Sequence, residues 1–173
     1  VGSGGGVHLI GGLVSDCTIS NNVSYWDSNG DGGGAYVTGG TLSNCWVVSN
    51  DGENGGGVFL TGGLVTRCVI TGNVLNAYSG ASQGGSGVRM SGGTLANCLV
   101  ARNRIPAGKG TNGAGIYLSG GSVLNCTIVH NGCADNEVGS GVYLTACGMT
   151  NSILYFNGLN SPAVTNQNIR MTG

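Results

Sequence analysis

Residues 6–22 read Gly6-Val7-His8-Leu9-Ile10-Gly11-Gly12-Leu13-Val14-Ser15-Asp16-Cys17-Thr18-Ile19-Ser20-Asn21-Asn22, and this 17-residue pattern recurs five more times along the chain. No copy gains or loses a residue, so all variation in length falls between the copies. A unit of fixed length with variable connections is typical of a solenoid, because each coil must stack on the one before it. The later copies begin at Gly34, Gly57, Gly87, Gly115 and Gly141.

Within each copy, apolar residues recur at the same places. If the leading glycine is position 0, positions 1, 3, 8 and 13 are apolar throughout; in the second copy they are Ala35, Val37, Leu42 and Val47. A Gly-Gly pair at positions 5 and 6 of five copies can supply the positive φ that a corner needs, whereas the sixth copy has Ala146-Cys147 there. We therefore predict an all-β fold, a right-handed parallel β-helix of about six coils, each with three short strands that pair between coils.

Composition and charge narrow the functional classes. Charged residues make up only 8% of the chain and the formal net charge is -1, which gives no electrostatic reason to expect a nucleic acid or an anionic membrane as partner. Since no apolar run reaches the length of a transmembrane helix, we expect no membrane insertion. Residues 1–173 are predicted to form one β-helix segment with uncapped ends, which continues in a longer parent chain or stacks end to end with its own copies.

Two positions carry one residue type in nearly every copy. Stacked asparagine side chains at position 16 can hydrogen-bond one another and the backbone. At position 11, inward-facing cysteines are predicted to be buried thiols that fill the core, because a column of parallel side chains suits neither disulfides nor a tetrahedral zinc site. A second asparagine column stands at position 10, with Asp16 and Arg67 as exceptions. The position-16 and position-11 columns are Asn22, Asn50, Asn73, Asn103, Asn131 and Asn157, and Cys17, Cys45, Cys68, Cys98 and Cys126.

The remaining two cysteines lie outside that column. Cys133 and Cys147 flank the connection between the fifth and sixth copies. A disulfide between them would clamp the inserted loop, and the oxidising environment of an exported protein would allow it. We therefore predict a Cys133–Cys147 disulfide.

One inter-coil loop resembles the first half of a calcium-binding loop. The stretch Asp27-Ser28-Asn29-Gly30-Asp31-Gly32 matches the pattern D-x-[DN]-x-[DN]-G, although Thr38 stands where the complete loop has a bidentate glutamate. Stacking would bring the next loop alongside with two further carboxylates, and calcium prefers such oxygen ligands. Ordinary turn chemistry explains the same residues equally simply. The predicted Ca²⁺ ligands are Asp27, Asn29, Asp31, Asp51 and Glu53.

Position 2 forms an outward-facing column of large side chains on the first strand. Rings in a row can stack on sugar faces, an arginine among them suits an anionic glycan, and hydroxyl side chains follow at position 4. Alternatively, these residues stabilise the strands by pairing across coils. The predicted glycan face is Tyr36, Phe59, Arg89, Tyr117 and Tyr143, extended by His8 and Arg170.

The repeats resemble those of a known group of bacterial proteins. The Gly-Gly-[Val/Ala/Ile] opening and the closing Ile-x-x-Asn, as in Ile70-Thr71-Gly72-Asn73, resemble the GGAI and FxxN repeats of polymorphic outer-membrane proteins. They are also similar to the β-helix stalks of other large surface proteins and autotransporter passengers. The resemblance covers nearly the whole chain, with Ile, Val or Leu where Phe is usual. It implies a β-helix located outside the cell or on its surface.

Three functions remain open on this evidence. The first is a structural stalk or fibre segment of an exported surface protein, and the second is a polysaccharide-binding module that uses the position-2 face. The third is a polysaccharide lyase or glycoside hydrolase with an acidic site in the loops. Within the six copies the only carboxylate is Asp16, and His8 and His130 have no nucleophile partner, so we expect a structural role before a catalytic one.

Overall fold

The computed structural model describes residues 4–24, 30–76, 84–109, 112–134, 139–145, 147–158 and 168–172. These residues form a parallel β-solenoid of about five turns, consistent with the predicted right-handed parallel β-helix. The described residues include no helix, and therefore none that is long and apolar enough to cross a membrane. The all-β prediction is confirmed. We number the coils 1 to 6 by their leading glycines.

One eleven-stranded sheet contains the first two strands of each coil together with β22 (Ile169–Met171), which belongs to the start of a seventh repeat. In coils 4 and 5 a single nine-residue strand runs through the Gly-Gly corner and joins the two arms of this sheet, with register shifts beside Ser91. The strands are β1 (Val7–Leu9), β2 (Leu13–Ser15), β5 (Ala35–Val37), β6 (Thr41–Ser43), β9 (Val58–Leu60), β10 (Leu64–Thr66), β13 (Val88–Ala96), β16 (Ile116–Leu124), β19 (Val142–Leu144), β20 (Gly148–Thr150) and β22 (Ile169–Met171).

The third strands stack into a six-stranded sheet, one strand from each coil. Every strand pairs in parallel and in register with its equivalents above and below, so that Ile70 lies between Val47 and Val100. Residues at one position therefore form a continuous column along the solenoid. These strands are β3 (Thr18–Ser20), β7 (Trp46–Val48), β11 (Val69–Thr71), β14 (Leu99–Ala101), β17 (Thr127–Val129) and β21 (Ile153–Tyr155).

A fourth, two-residue strand follows in coils 1 to 5 and was not predicted from the sequence. It lies at positions 17 and 18, just beyond the repeated unit, where the residues follow no common pattern from coil to coil. Its inward residues in coils 3 to 5 are Leu75, Ile105 and Cys133, which pack with Ala114 into a second apolar cluster. These strands are β4 (Val23–Ser24), β8 (Asp51–Gly52), β12 (Val74–Leu75), β15 (Arg104–Ile105) and β18 (Gly132–Cys133).

The main core runs the length of the solenoid and consists of the predicted apolar positions. Leu42, Val65, Leu95 and Val123 at position 8 are fully buried, as are the position-1 and position-3 residues of coils 2 to 5. The predicted corner is also present, because the second glycine of the pair has a positive φ, for example +73° at Gly40. Outward side chains are thereby left in ordered columns on the surface.

Candidate functional site

The position-16 asparagines form a hydrogen-bonded ladder, as predicted. The Oδ1 atom of Asn103 accepts hydrogen bonds from the backbone N–H and the Nδ2 of Asn73, at 3.0 and 2.9 Å. The Nδ2 of Asn103 donates to the carbonyl of Ile70 and to Oδ1 of Asn131, at 3.0 and 2.9 Å. The same pattern links consecutive asparagines from Asn22 to Asn157. Each buried amide is therefore both donor and acceptor between coils.

A residue from a different position extends this ladder by one step. Asn168 stands at position 0 of a seventh repeat, where every complete copy has glycine. Its Oδ1 accepts hydrogen bonds from the backbone N–H and the Nδ2 of Asn157, at 3.2 and 3.1 Å. This contact was missed at the sequence level, although an asparagine in place of the leading glycine was a visible signal.

The leading glycine at position 0 lies against the asparagine ladder, and this contact leaves no room for a side chain. A Cβ atom on Gly87 would lie 2.5 Å from the carbonyl oxygen of Gly115 and 2.7 Å from Nδ2 of Asn103. The equivalent glycines of the other coils face the asparagine of their own coil just as closely. In each complete coil a side chain at position 0 would therefore collide with that coil's own ladder asparagine, which is why these two positions recur together in the sequence.

The position-11 cysteines are buried as predicted in coils 2 to 5, but the prediction is wrong for Cys17, which is exposed in coil 1, where a coil packs on one side only. The buried thiols also form hydrogen bonds. The thiol of Cys98 donates to the carbonyl of Ala96 at 3.2 Å and accepts from the backbone N–H of Cys68 at 3.4 Å. Ser152 takes the same role in coil 6: its hydroxyl donates to Thr150 at 3.0 Å and accepts from the N–H of Cys126 at 3.2 Å. The side chains of this column therefore form hydrogen bonds within and between coils, in addition to filling space in the core.

The thiols of this column influence one another's ionisation. Side-chain hydrogen bonding with Cys98 lowers the pKa of Cys68 to about 7 and also lowers the pKa of Cys126. The corresponding hydrogen bonds to Cys126 and Cys68, together with burial, raise the pKa of Cys98. At Cys45, burial is the main cause of a raised pKa.

The predicted disulfide between Cys133 and Cys147 is wrong, since none of the seven cysteines is in a disulfide. The two residues pack in different clusters. Cys133 lies in the fourth strand of coil 5, against Leu75 and Ile105. Cys147 packs against the main core, and its thiol donates to the carbonyl of Leu118 at 3.4 Å. The sequence could not show this, because position 18, at which the fourth strand buries Cys133, has a different residue in each of coils 1 to 5.

The position-2 side chains form one continuous stack. The ring centroids of Tyr36 and Phe59 are 5.2 Å apart with an angle of 11° between the planes, and those of Tyr117 and Tyr143 are 5.2 Å apart at 12°. Between these pairs, the guanidinium of Arg89 lies 5.3 Å from the centroid of Phe59 and 5.7 Å from that of Tyr117. The five predicted glycan-face residues are therefore brought together, but mainly in contact with one another.

This stacking changes how the column could meet a sugar. The faces of Tyr36, Phe59 and Tyr117 are covered by their neighbours in the stack, and Tyr117 is only 8% exposed. A glycan could reach ring edges and hydroxyl groups but could not lie flat on these rings. The contacts are those of cross-strand pairing, which stabilises adjacent strands. Glycan binding at this column remains a prediction.

The candidate calcium loop is partly described. Asp31 accepts a hydrogen bond from Nδ2 of Asn54 at 3.0 Å, and Oδ1 of Asn54 accepts one from Arg89. Burial raises the pKa of Asp31 and the nearby charge of Glu53 adds to this, while Asn54 and Arg89 act in the opposite direction. Asp51 lies in β8, with Nδ2 of Asn76 3.5 Å from its Oδ2.

Asp27 and Asn29 lie outside the described residues. Within the part of the chain that is described, no group of three or more His, Cys, Asp or Glu residues could hold a metal ion. Calcium binding and a catalytic site in these loops stay predictions.

Two corner columns flank the third strand, and both have left-handed backbone. At position 10, φ lies between +48° and +57°, and four of the six residues are asparagine. Their exposed amides bond between coils: Nδ2 of Asn151 donates to Oδ1 of Asn125 at 2.7 Å, and Asn44 donates to Asp16, whose pKa this lowers. At position 15, φ lies between +47° and +63°. The position-15 corner was not recognised in the sequence; its residues are Asn21, Ser49, Gly72, Arg102, His130 and Phe156.

Comparison with known proteins adds no identity. No protein-family model, no curated protein and no solved structure matches this chain. The resemblance to repeats of bacterial surface proteins therefore depends on the motif alone. In this chain the glycine and asparagine of that motif are explained by the contact between Gly87 and Asn103 and its equivalents.

Proposed function

We propose that this chain is a structural segment of a stalk or fibre in an exported, surface-located protein. The observation that carries the proposal is the asparagine ladder, which joins every coil to the next through buried side-chain hydrogen bonds. Together with the core columns, it places the repeated residues in contacts that run along the axis. Such contacts support an elongated shape rather than a local site.

The architecture suits a role in spanning distance. Strands in register add about 4.8 Å per coil, so that six coils span roughly 30 Å, and further coils would lengthen the rod without changing its cross-section. Stability in such arrays is a sum of nearest-neighbour terms, so added coils also stabilise the rod. The partner is then another copy of the chain or a longer parent chain.

Negative-stain electron microscopy combined with light scattering tests this proposal. We would compare the single chain with a tandem chain in which two copies are joined in the repeat register. A structural segment predicts that the single chain associates into rods, or that the tandem chain forms a rod about twice as long with a higher Tm. If the single chain stays a compact monomer and the tandem chain gives two separate particles with an unchanged Tm, the proposal fails.

A further inference from the structure

The position-15 corner contains residues that its backbone does not favour. In coils 1 and 3 this left-handed position is Asn21 and Gly72, which adopt it readily. In coils 4 and 6 it is Arg102 and Phe156, at φ +55° and +47°. Bulky residues rarely accept this conformation, and such outliers tend to stand where a side chain is needed for function. The choice of these residues therefore calls for a reason beyond the fold.

All three corner residues of coils 4 to 6 are exposed. Arg102 and His130 project from adjacent coils, and Phe156 is 62% exposed one coil further on. The His130 and Phe156 rings are stacked with centroids 5.8 Å apart and an angle of 14°. Tyr155, which is 58% exposed, meets Phe156 edge to face at 4.3 Å. Cationic and aromatic groups thus follow each other along the axis at the spacing of the coils.

A second arginine adds to this corner. Arg104 lies two residues after Arg102 and is also exposed. Its in-register neighbours are Val74 below and Gly132 above, which carry no charge. The neighbours of Arg102 at position 15 are Gly72 and His130, again without a carboxylate. The two guanidinium groups therefore face solvent with no acidic residue in register beside them.

We propose that Arg102, Arg104, His130, Tyr155 and Phe156, here called the cationic corner, bind an acidic polysaccharide that carries carboxylates on its sugars. Guanidinium groups recognise carboxylates through paired hydrogen bonds. Exposed rings offer an apolar surface to the C–H faces of sugars, which the covered rings of the position-2 stack do not. An extended polymer would lie along the axis, across coils 4 to 6.

The charge of the molecule favours a polysaccharide over a nucleic acid. Nucleic-acid binding depends on neutralising closely spaced phosphates with many cations. Here two arginines act within a chain of formal net charge -1. A polymer with one carboxylate per sugar presents fewer charges and more apolar surface, which matches the composition of the corner. This inference does not depend on the proposed stalk function, since either can hold without the other.

The test is isothermal titration calorimetry, in which the full chain is titrated with polygalacturonate oligomers at low salt. The variant Arg102→Asn with Arg104→Asn removes both charges and places a residue that prefers left-handed backbone at position 15, so the fold is kept. We expect its affinity to fall about tenfold or more. Phe156→Asn, which also relieves the backbone, should weaken binding as well.

Arg67→Asn is the matched control, because Arg67 occupies the other left-handed corner at φ +52° and is also exposed. It removes an arginine from the same kind of backbone, and its affinity should equal that of the unchanged chain. Three results would overturn the proposal: no binding of polygalacturonate by the unchanged chain, an equal loss in Arg67→Asn, or equally tight binding of a single-stranded oligonucleotide.

Discussion

Asn103 and Arg102 are adjacent in the chain, yet the columns to which they belong differ in what they require. Position 16 is asparagine in all six coils, whereas position 15 changes from Asn21 through Gly72 to Phe156. The ladder side chains of coils 2 to 5 are buried, and each must donate and accept between two other coils. The corner side chains face solvent, and their backbone asks only for a positive φ. Burial with a full set of hydrogen bonds determines residue identity, and exposure leaves it available for function.

The largest effect is expected from removing the donor half of a ladder amide. In Asn73→Asp the new carboxylate cannot donate to the carbonyl of Val47 or to Oδ1 of Asn103, which now accept 3.0 and 2.9 Å hydrogen bonds. A buried, partly unpaired charge should lower the free energy of unfolding by about 4 kcal/mol at pH 7. Guanidinium denaturation measures this.

Asn97→Asp is the control for that substitution. Asn97 belongs to the exposed position-10 column, in which Asp16 already stands in coil 1. The loss there should stay within about 1 kcal/mol. Equal losses in Asn73→Asp and Asn97→Asp would mean that the ladder contributes no more than a surface contact does.

A smaller loss is expected when the ladder is displaced rather than broken. The new Cβ of Gly87→Ala would collide with Gly115 and Asn103, and we expect a loss of about 2 kcal/mol in thermal or chemical unfolding. Gly148→Ala serves as the control, since a Cβ there meets nothing within 4 Å and should change stability by less than about 0.5 kcal/mol. Comparable stability of the two variants would contradict the close approach at position 0.

The smallest effect is expected from a serine substitution in the cysteine column. Since Ser152 already occupies it in coil 6, Cys98→Ser should keep the hydrogen bonds and cost about 1 kcal/mol or less. Cys98→Ala leaves the buried N–H of Cys68 without an acceptor and should cost about 2 kcal/mol. If alanine is tolerated better than serine, the column is an apolar filler after all.

The sequence predicted what the stacking of coils makes periodic. The alternation of Ala35 and Val37, the glycine corners and the asparagine ladder all recur because every coil meets the same neighbours. The fourth strand could not be predicted, since Leu75, Ile105 and Cys133 share neither residue type nor polarity pattern with their equivalents in coils 1 and 2. The wrong prediction of a Cys133–Cys147 disulfide had the same cause, because the fourth strand that buries Cys133 was not predicted.

The orientation of exposed side chains was the second feature that the sequence could not predict. Position 2 was recognised as an outward aromatic column, but spacing along the chain does not tell whether Tyr36 turns its face to solvent or to Phe59. The stacking distance of 5.2 Å follows from the separation of the coils. Likewise, the left-handed corner at position 15 could not be predicted from Arg102 and Phe156. Arginine and phenylalanine rarely adopt a positive φ, so their presence does not indicate one.

The most direct test of this account compares the two neighbouring residues by guanidinium denaturation of Asn103→Ala and Arg102→Asn. Asn103→Ala removes four hydrogen bonds from a buried site and should lower the free energy of unfolding by about 3 kcal/mol. Arg102→Asn relieves the strain of the corner backbone. It should leave the free energy of unfolding unchanged or raise it by less than about 1 kcal/mol. Similar losses at both positions would contradict the claim that the buried ladder specifies the fold while the corner is available for binding.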